Sequence, residues 1–133
     1  MATETKYLQY YIEYILALQK KYAPKDRRLP LCIMVSGDTN AGTLKLLKEY
    51  NNFGMEDDQI TIVQQGQGVP ALMDNDASIA METDYKILTK PHGHGDIHAL
   101  LHSDQVAKKW DEKGIEWMAF FQVRAGSFIC ARS

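Results

Sequence analysis

All four histidines of the chain, His92, His94, His98 and His102, fall within eleven positions, and Gly93 and Gly95 flank the second of them. Glycines at such spacing let backbone N–H groups approach a ligand and allow positive φ. A helix start just after the segment would add an N-terminal dipole, which suits an anion or a polar base edge. His94 could then donate to a phosphate or ribose oxygen. A tight strand-to-helix turn capped by Asp96 is equally compatible with these residues. A metal is the third option, because His98 and His102 share a helix face at i, i+4 spacing. The other two histidines would have to fold back from the loop to complete such a site, so a metal is not the expected use.

Two adjacent amides, Gln64 and Gln65, close an apolar run. An amide carries donors and acceptors, so it can read a uracil edge, although solvated loop glutamines have the same appearance. Ser36 and Thr39 could contact sugar or phosphate oxygens, or merely close a local turn. Asp74-Asn75-Asp76 lacks the rest of a calcium loop and fits a hairpin turn. There is no Walker A pattern and no GxGxxG, and neither Cys32 nor Cys130 has a base nearby in sequence.

These residues need a scaffold. Apolar positions at helical spacing predict a helix from about Thr5 to Tyr22, started by Thr3 or Thr5 and ended by Pro24, with its tyrosines in a core or an interface. Leu31–Val35 is a continuous apolar run and predicts a buried parallel strand. Ser36–Asn40 reads as turn chemistry, followed by a helix with Leu44, Leu46 and Leu47 inward. Gln59–Val63 predicts a second strand, Gln64–Gly68 a loop, and Ala71–Met81 two short strands about a turn. Tyr85–Thr89 reads as a strand into the histidine loop, and Asp96 as the cap of a helix carrying Ile97, Leu100 and Leu101. A helix near Gln105–Glu112 and a strand at Ile115–Phe121 complete the order. Alternating helices and buried strands predict an α/β layered sheet with parallel crossovers. In such sheets ligands sit beyond the carboxyl ends of the strands, where three polar loops fall: Ser36–Asn40, Gln64–Gly68 and Pro91–Asp96.

Composition sets the outer bounds. The 133 residues fit one domain, 45% hydrophobic, with a formal charge of −2. That balance gives no sign of a nucleic-acid arm or a polybasic membrane patch. Two cysteines are too few for a disulfide framework and suit a reducing compartment. No apolar run approaches a membrane span, and Met1–Thr5 lacks the pattern of a secretory leader, so the expected location is cytoplasmic.

The segment Lys90-Pro91-His92-Gly93-His94-Gly95-Asp96-Ile97-His98 resembles the glycine–histidine signature of UDP-sugar pyrophosphorylases. Met34–Thr39, Asn52–Met55, Asp74–Ala77 and Trp117–Gln122 resemble further landmarks of that family, in its order. The resemblance runs from about Glu4 to Gln122. It implies an incomplete Rossmann-like, GT-A-like nucleotidyltransferase sheet. It also implies a reaction in which UTP and a monosaccharide 1-phosphate give UDP-sugar and pyrophosphate, with magnesium. Carried over by resemblance, Gln65, and less so Gln64, would read the uracil edge. Gly93 would offer backbone to uracil, Pro91 would pack near the base, and His94 would lie against ribose and phosphates.

The departures from the family pattern bear on activity. The family's glycine-rich phosphate loop and its sugar-binding half are not in this sequence. Val123-Arg124 stands where the family places a metal-holding aspartate, so no catalytic residue and no metal ligand is carried over. The expectation is a partial catalytic domain over residues 1–122 with a divergent tail over 123–133, which a retained intron could encode. Such a piece is expected to be inactive alone, with the full-length enzyme as a candidate partner. The alternative is a non-catalytic histidine-based metal-binding module or a regulatory remnant.

Overall fold

In the computed structural model, residues 6–66, 68–90 and 93–121 are described, together with the backbone of 128–132. Helix α1 (Tyr7–Tyr22) forms on a narrow apolar stripe: Ile12 and Ile15 are buried, with Leu8 and Leu16 packed beside them. Tyr7, Tyr10, Tyr14 and Tyr22 are exposed, so the helix buries aliphatic side chains, and of its tyrosines only Tyr11 is half-buried. Lys6 occupies the N-cap without a side-chain bond. The threonine caps expected from sequence lie outside the described residues. Ala23 ends the helix in an extended conformation, as the residue before a proline prefers.

Strands β1 (Leu31–Val35) and β2 (Ile60–Gln64) pair in parallel, from Leu31 opposite Ile60 to Val35 opposite Gln64. Their side chains alternate between two helical layers. Leu31, Ile33, Ile60 and Ile62 pack against the α1 cluster of Ile12, Ile15, Leu47 and Met55. Cys32, Met34 and Val63 join a second cluster built on Leu101 and Val106. Burial on both faces is why β1 is continuously apolar and β2 nearly so, interrupted by Thr61 and ending on Gln64.

Helix α2 (Gly37–Glu49) makes the crossover. Sequence reading placed a turn at Ser36–Asn40. Instead Ser36 is the N-cap and the next four residues form the first helical turn. Leu47 is buried, whereas Leu44, expected inward, is exposed. After α2 the chain reverses through Asn51, Asn52, Phe53 and Gly54, all at positive φ (47°, 53°, 51° and 89°). Asparagine and glycine tolerate that region, but Phe53 does not favour it. Stacking of Phe53 on Tyr50, with ring centroids 5.1 Å apart, and the 2.6 Å bond from Asn52 to Asp57 hold the turn.

The second helical layer is α3 (Asp96–Ser103) and α4 (Val106–Glu112). Strand β7 (Trp117–Phe121) turns Met118 and Phe120 toward this layer, while Phe121 meets the Tyr11 ring on the α1 side at 5.6 Å. Its hydrogen-bonded partner is β8 (Phe128–Arg132), antiparallel, with Phe121 opposite Phe128.

The expected layering is present, but parallel crossovers throughout are not. Among the described residues β1–β2 is the one parallel pair. Residues 69–90 instead form short antiparallel pairs: β3 (Val69–Pro70) with β6 (Thr89–Lys90), and β4 (Met81–Thr83) with β5 (Lys86–Ile87). The strand expected at Tyr85–Thr89 is therefore split: Tyr85 belongs to the turn before β5, and Leu88 separates β5 from β6. The turn expected at Asp74-Asn75-Asp76 is formed, with Asp74 Oδ1 accepting from the N–H groups of Asp76 and Ser78 at 3.0 and 3.1 Å. The Ser78 N–H above all, then the Ser78 hydroxyl and the Asp76 N–H, hold the Asp74 carboxyl below the usual carboxylate range.

Candidate functional site

Beyond the carboxyl ends of β1 and β2 the chain assembles three polar segments. Strand alternation sends the two glutamines opposite ways. Gln64 turns toward α2, where Asn40 Nδ2 donates to its Oε1 at 2.8 Å. Gln65 turns toward α3. Its Nε2 donates to the carbonyl of Gly93 at 2.8 Å and to Asp96 Oδ2 at 3.3 Å, and its backbone N–H donates to the Val35 carbonyl at 2.8 Å. The loop after β2 and the loop before α3 are thus tied together by one side chain across 28 residues of sequence.

Gly93 has φ +137°, and a Cβ built there would meet nothing within 4 Å. The glycine is required by backbone conformation and not by crowding. His94 is exposed, and its carbonyl accepts from Ile97 N–H at 3.3 Å. Gly95, not Asp96, is the N-cap of α3, and Asp96 is the first helical residue. Its carboxylate therefore already occupies the positive end of that helix. This changes the electrostatics expected from sequence. The Gly93 carbonyl and the Asp96 carboxylate are acceptors, so this corner suits an uncharged base bearing N–H groups better than a phosphate.

Ser36 and Thr39 are committed locally. Thr39 Oγ1 accepts from the Ser36 N–H at 3.0 Å, and the two hydroxyls lie 3.0 Å apart. That is a reciprocal cap of α2, and a sugar or phosphate would have to compete with it. Pro91 and His92 lie outside the described residues.

A concavity of about 490 Å³ lies at the opposite, amino-terminal ends of β1 and β2, lined by Arg27, Arg28, Asp58 and Lys113 among others. It holds none of the loop residues above, and its position is not where open α/β sheets place ligands.

Residues 1–123 match the UTP–glucose-1-phosphate uridylyltransferase family. The chain belongs to that family. It is 47% identical over 123 residues to a UDP-sugar pyrophosphorylase of Oryza sativa subsp. indica, an alignment covering 87% of this chain and 20% of the relative. It is 46% identical over 127 residues to the UDP-sugar pyrophosphorylase of Arabidopsis thaliana, covering 90% and 20%. The chain thus spans about a fifth of the length of these curated relatives. Among solved structures, a candidate UDP-N-acetylglucosamine pyrophosphorylase from Entamoeba histolytica superposes with a TM-score of 0.78 at 24% identity. That match covers 92% of this chain and 31% of the other, and it shows a pyrophosphorylase-like α/β fold.

The metal-module alternative gains no support from this family or from the geometry. His98 lies against the Phe120 ring, with centroids 4.9 Å apart. Among the described residues no three His, Cys, Asp or Glu side chains gather into a group that could hold a metal. Among the described residues, too, no helix is long and apolar enough to cross a membrane.

Two contributors were missed in the sequence. Asp96 was read only as a cap, although it contacts Gln65, and Asn40 was not considered. A polar residue three places beyond Gly93 gives a local signal for capping and none for a contact 31 residues away.

Proposed function

We propose that this chain supplies the uridine-binding part of a uridylyltransferase that converts UTP and a monosaccharide 1-phosphate to UDP-sugar and pyrophosphate. Family membership and the identity to UDP-sugar pyrophosphorylases support the reaction. The observation that carries the site is the Gln65–Gly93 bond, which joins two strand-end loops into one polar corner.

In this reaction a phosphate oxygen of the sugar 1-phosphate bonds to the α-phosphorus of UTP, and the bond from that phosphorus to the departing pyrophosphate breaks. The protein's task is positioning and charge neutralisation. Here Gln65 and Gly93 would hold the uracil and fix the nucleoside, and Pro91 would flank the base. His94, one residue on from Gly93, would face the ribose and phosphates. The Ser36 and Thr39 hydroxyls, at the end of the neighbouring strand β1, would contact the sugar phosphate on giving up their mutual bond. Magnesium would supply phosphate charge neutralisation when bound. The partners are therefore UTP and a sugar 1-phosphate, with the full-length enzyme as a further candidate.

Nuclear magnetic resonance titration of the 133-residue chain with UTP and with ATP tests the reading. UTP is expected to shift the Gln65, Gly93 and His94 signals saturably, with ATP at least tenfold weaker. Gln65→Ala should weaken UTP by roughly tenfold, the loss expected for one hydrogen bond to a buried base. Equal responses to the two nucleotides, or shifts confined to other loops, would sink it.

A further inference from the structure

The orientation of the Gln65 side-chain amide is chemically forced. Both groups that face its Nε2, the Gly93 carbonyl at 2.8 Å and the Asp96 carboxylate at 3.3 Å, are acceptors without a proton to give. A flipped amide would set Oε1 against two oxygens, one of them charged. Nε2 therefore has both of its N–H groups engaged within the protein. Oε1 accepts no bond from the described residues, and no buried side-chain polar atom among them lacks a partner, so Oε1 is open to solvent. Gln65 consequently offers a ligand an acceptor and no donor.

We infer that Asp96 is a positioning residue for base selection: it locks Gln65 so that only Oε1 faces the nucleotide, which admits a base with a ring N–H and rejects cytosine. This rests on the uridine reading above and deepens it. Uracil presents a proton on N3. Cytosine presents a lone pair there, which would meet Oε1 as acceptor against acceptor, leaving both unpaired when water is excluded. The charge on Asp96 strengthens its bond to the amide N–H, so it stiffens the lock beyond what the carbonyl does alone. The inference replaces the two-bond reading of an amide against uracil with a one-bond reading, because the donor half of the amide is already used.

Dissociation constants of the full chain for UTP, CTP and 3-methyl-UTP, measured for wild type, Asp96→Ala, Asp96→Asn and Gln65→Ala, test it. Wild type should bind UTP at least tenfold more tightly than either CTP or 3-methyl-UTP. Asp96→Ala should shrink the UTP/CTP ratio about fivefold or more. Asp96→Asn, which keeps an oxygen at that position, should restore it to within about threefold of wild type. An unchanged ratio in Asp96→Ala overturns the role of Asp96 while leaving the uridine site intact. Unchanged UTP affinity in Gln65→Ala overturns the uridine reading itself. Should Asp96→Ala not fold, the wild-type chain without nucleotide still decides. The Gln65 side-chain amide protons should exchange at least tenfold more slowly than those of the exposed Gln105, and exchange at the same rate overturns the lock.

Discussion

The Gln59 side-chain amide donates to Gln19 Oε1 at 2.9 Å, joining helix α1 to the start of strand β2 across 40 residues of sequence. The same Nε2 donates to the Leu29 carbonyl at 2.9 Å, and Gln19 Oε1 also accepts from the Leu29 N–H at 2.8 Å. Gln59 is only 3% exposed, so water cannot readily replace it. Gln59→Ala should therefore cost about 1–3 kcal/mol in urea unfolding. Because both side chains serve one network, the cost of Gln19→Ala in the Gln59→Ala background should be well below its cost in wild type. Strict additivity would show that the two amides act independently.

The left-handed reversal after α2 makes a second test. Gly54 has φ +89°, and a Cβ there would sit at an ordinary 3.7 Å from Leu16 Cδ1. The penalty for Gly54→Ala is thus conformational and not steric, and should be about 1–2 kcal/mol. Asn52→Ala should cost a similar amount, since it removes both a residue tolerant of positive φ and the bond to Asp57. Equilibrium denaturation reads both. A Gly54→Ala chain as stable as wild type would mean the reversal relaxes to another turn.

Burial pushes the Cys32 thiol up to about 11, with the Asp104 carboxylate adding to the effect. In the unfolded chain the thiol ionises near 9. The folded state holds that proton more tightly, so its contribution to stability is complete below pH 9 and is lost as pH rises toward 11. Denaturation at stepped alkaline pH should show this decline, and Cys32→Ala should reduce it. The thiol should also alkylate more slowly at pH 8 than in denatured chain, because the thiolate is the reacting form. Equal labelling rates in native and denatured protein would contradict the burial.

The sequence was most legible where hydrophobic runs are continuous or evenly spaced. Both parallel strands, the helices and the Asp74 turn were visible, because burial on two faces and local backbone bonding leave marks within a few residues. Residues 71–90 were harder to read. Their apolar positions support short antiparallel pairs that stay mostly exposed, and a four- or five-residue apolar run does not reveal its partner. Leu44 was misplaced, and the α1 tyrosines were left between core and interface, for a related reason, since helical spacing fixes a face without telling how wide the buried part of it is. At the site, Gln65 and Gly93 came from resemblance, whereas the fact that they bond to each other came only from the structure. Asp96 illustrates the remaining gap: its helical role is written in its neighbours, and its contact with Gln65 is a product of the fold.

The burial of Val63 has a consequence for how this protein can vary. Val63 is 2% exposed and points into the α3–α4 layer, so its successor Gln64 must face α2, and Gln65 the Gly93 loop. Deleting one residue from Ile60–Val63 would keep both glutamines, yet it would exchange their neighbourhoods, delivering Gln64 to α3 and Gln65 to Asn40. Two chemically identical side chains thus hold unequal posts, and the arbiter between them is an aliphatic residue with no polar atom in its side chain. Selection on packing in that strand is, indirectly, selection on which glutamine the Gly93 loop receives.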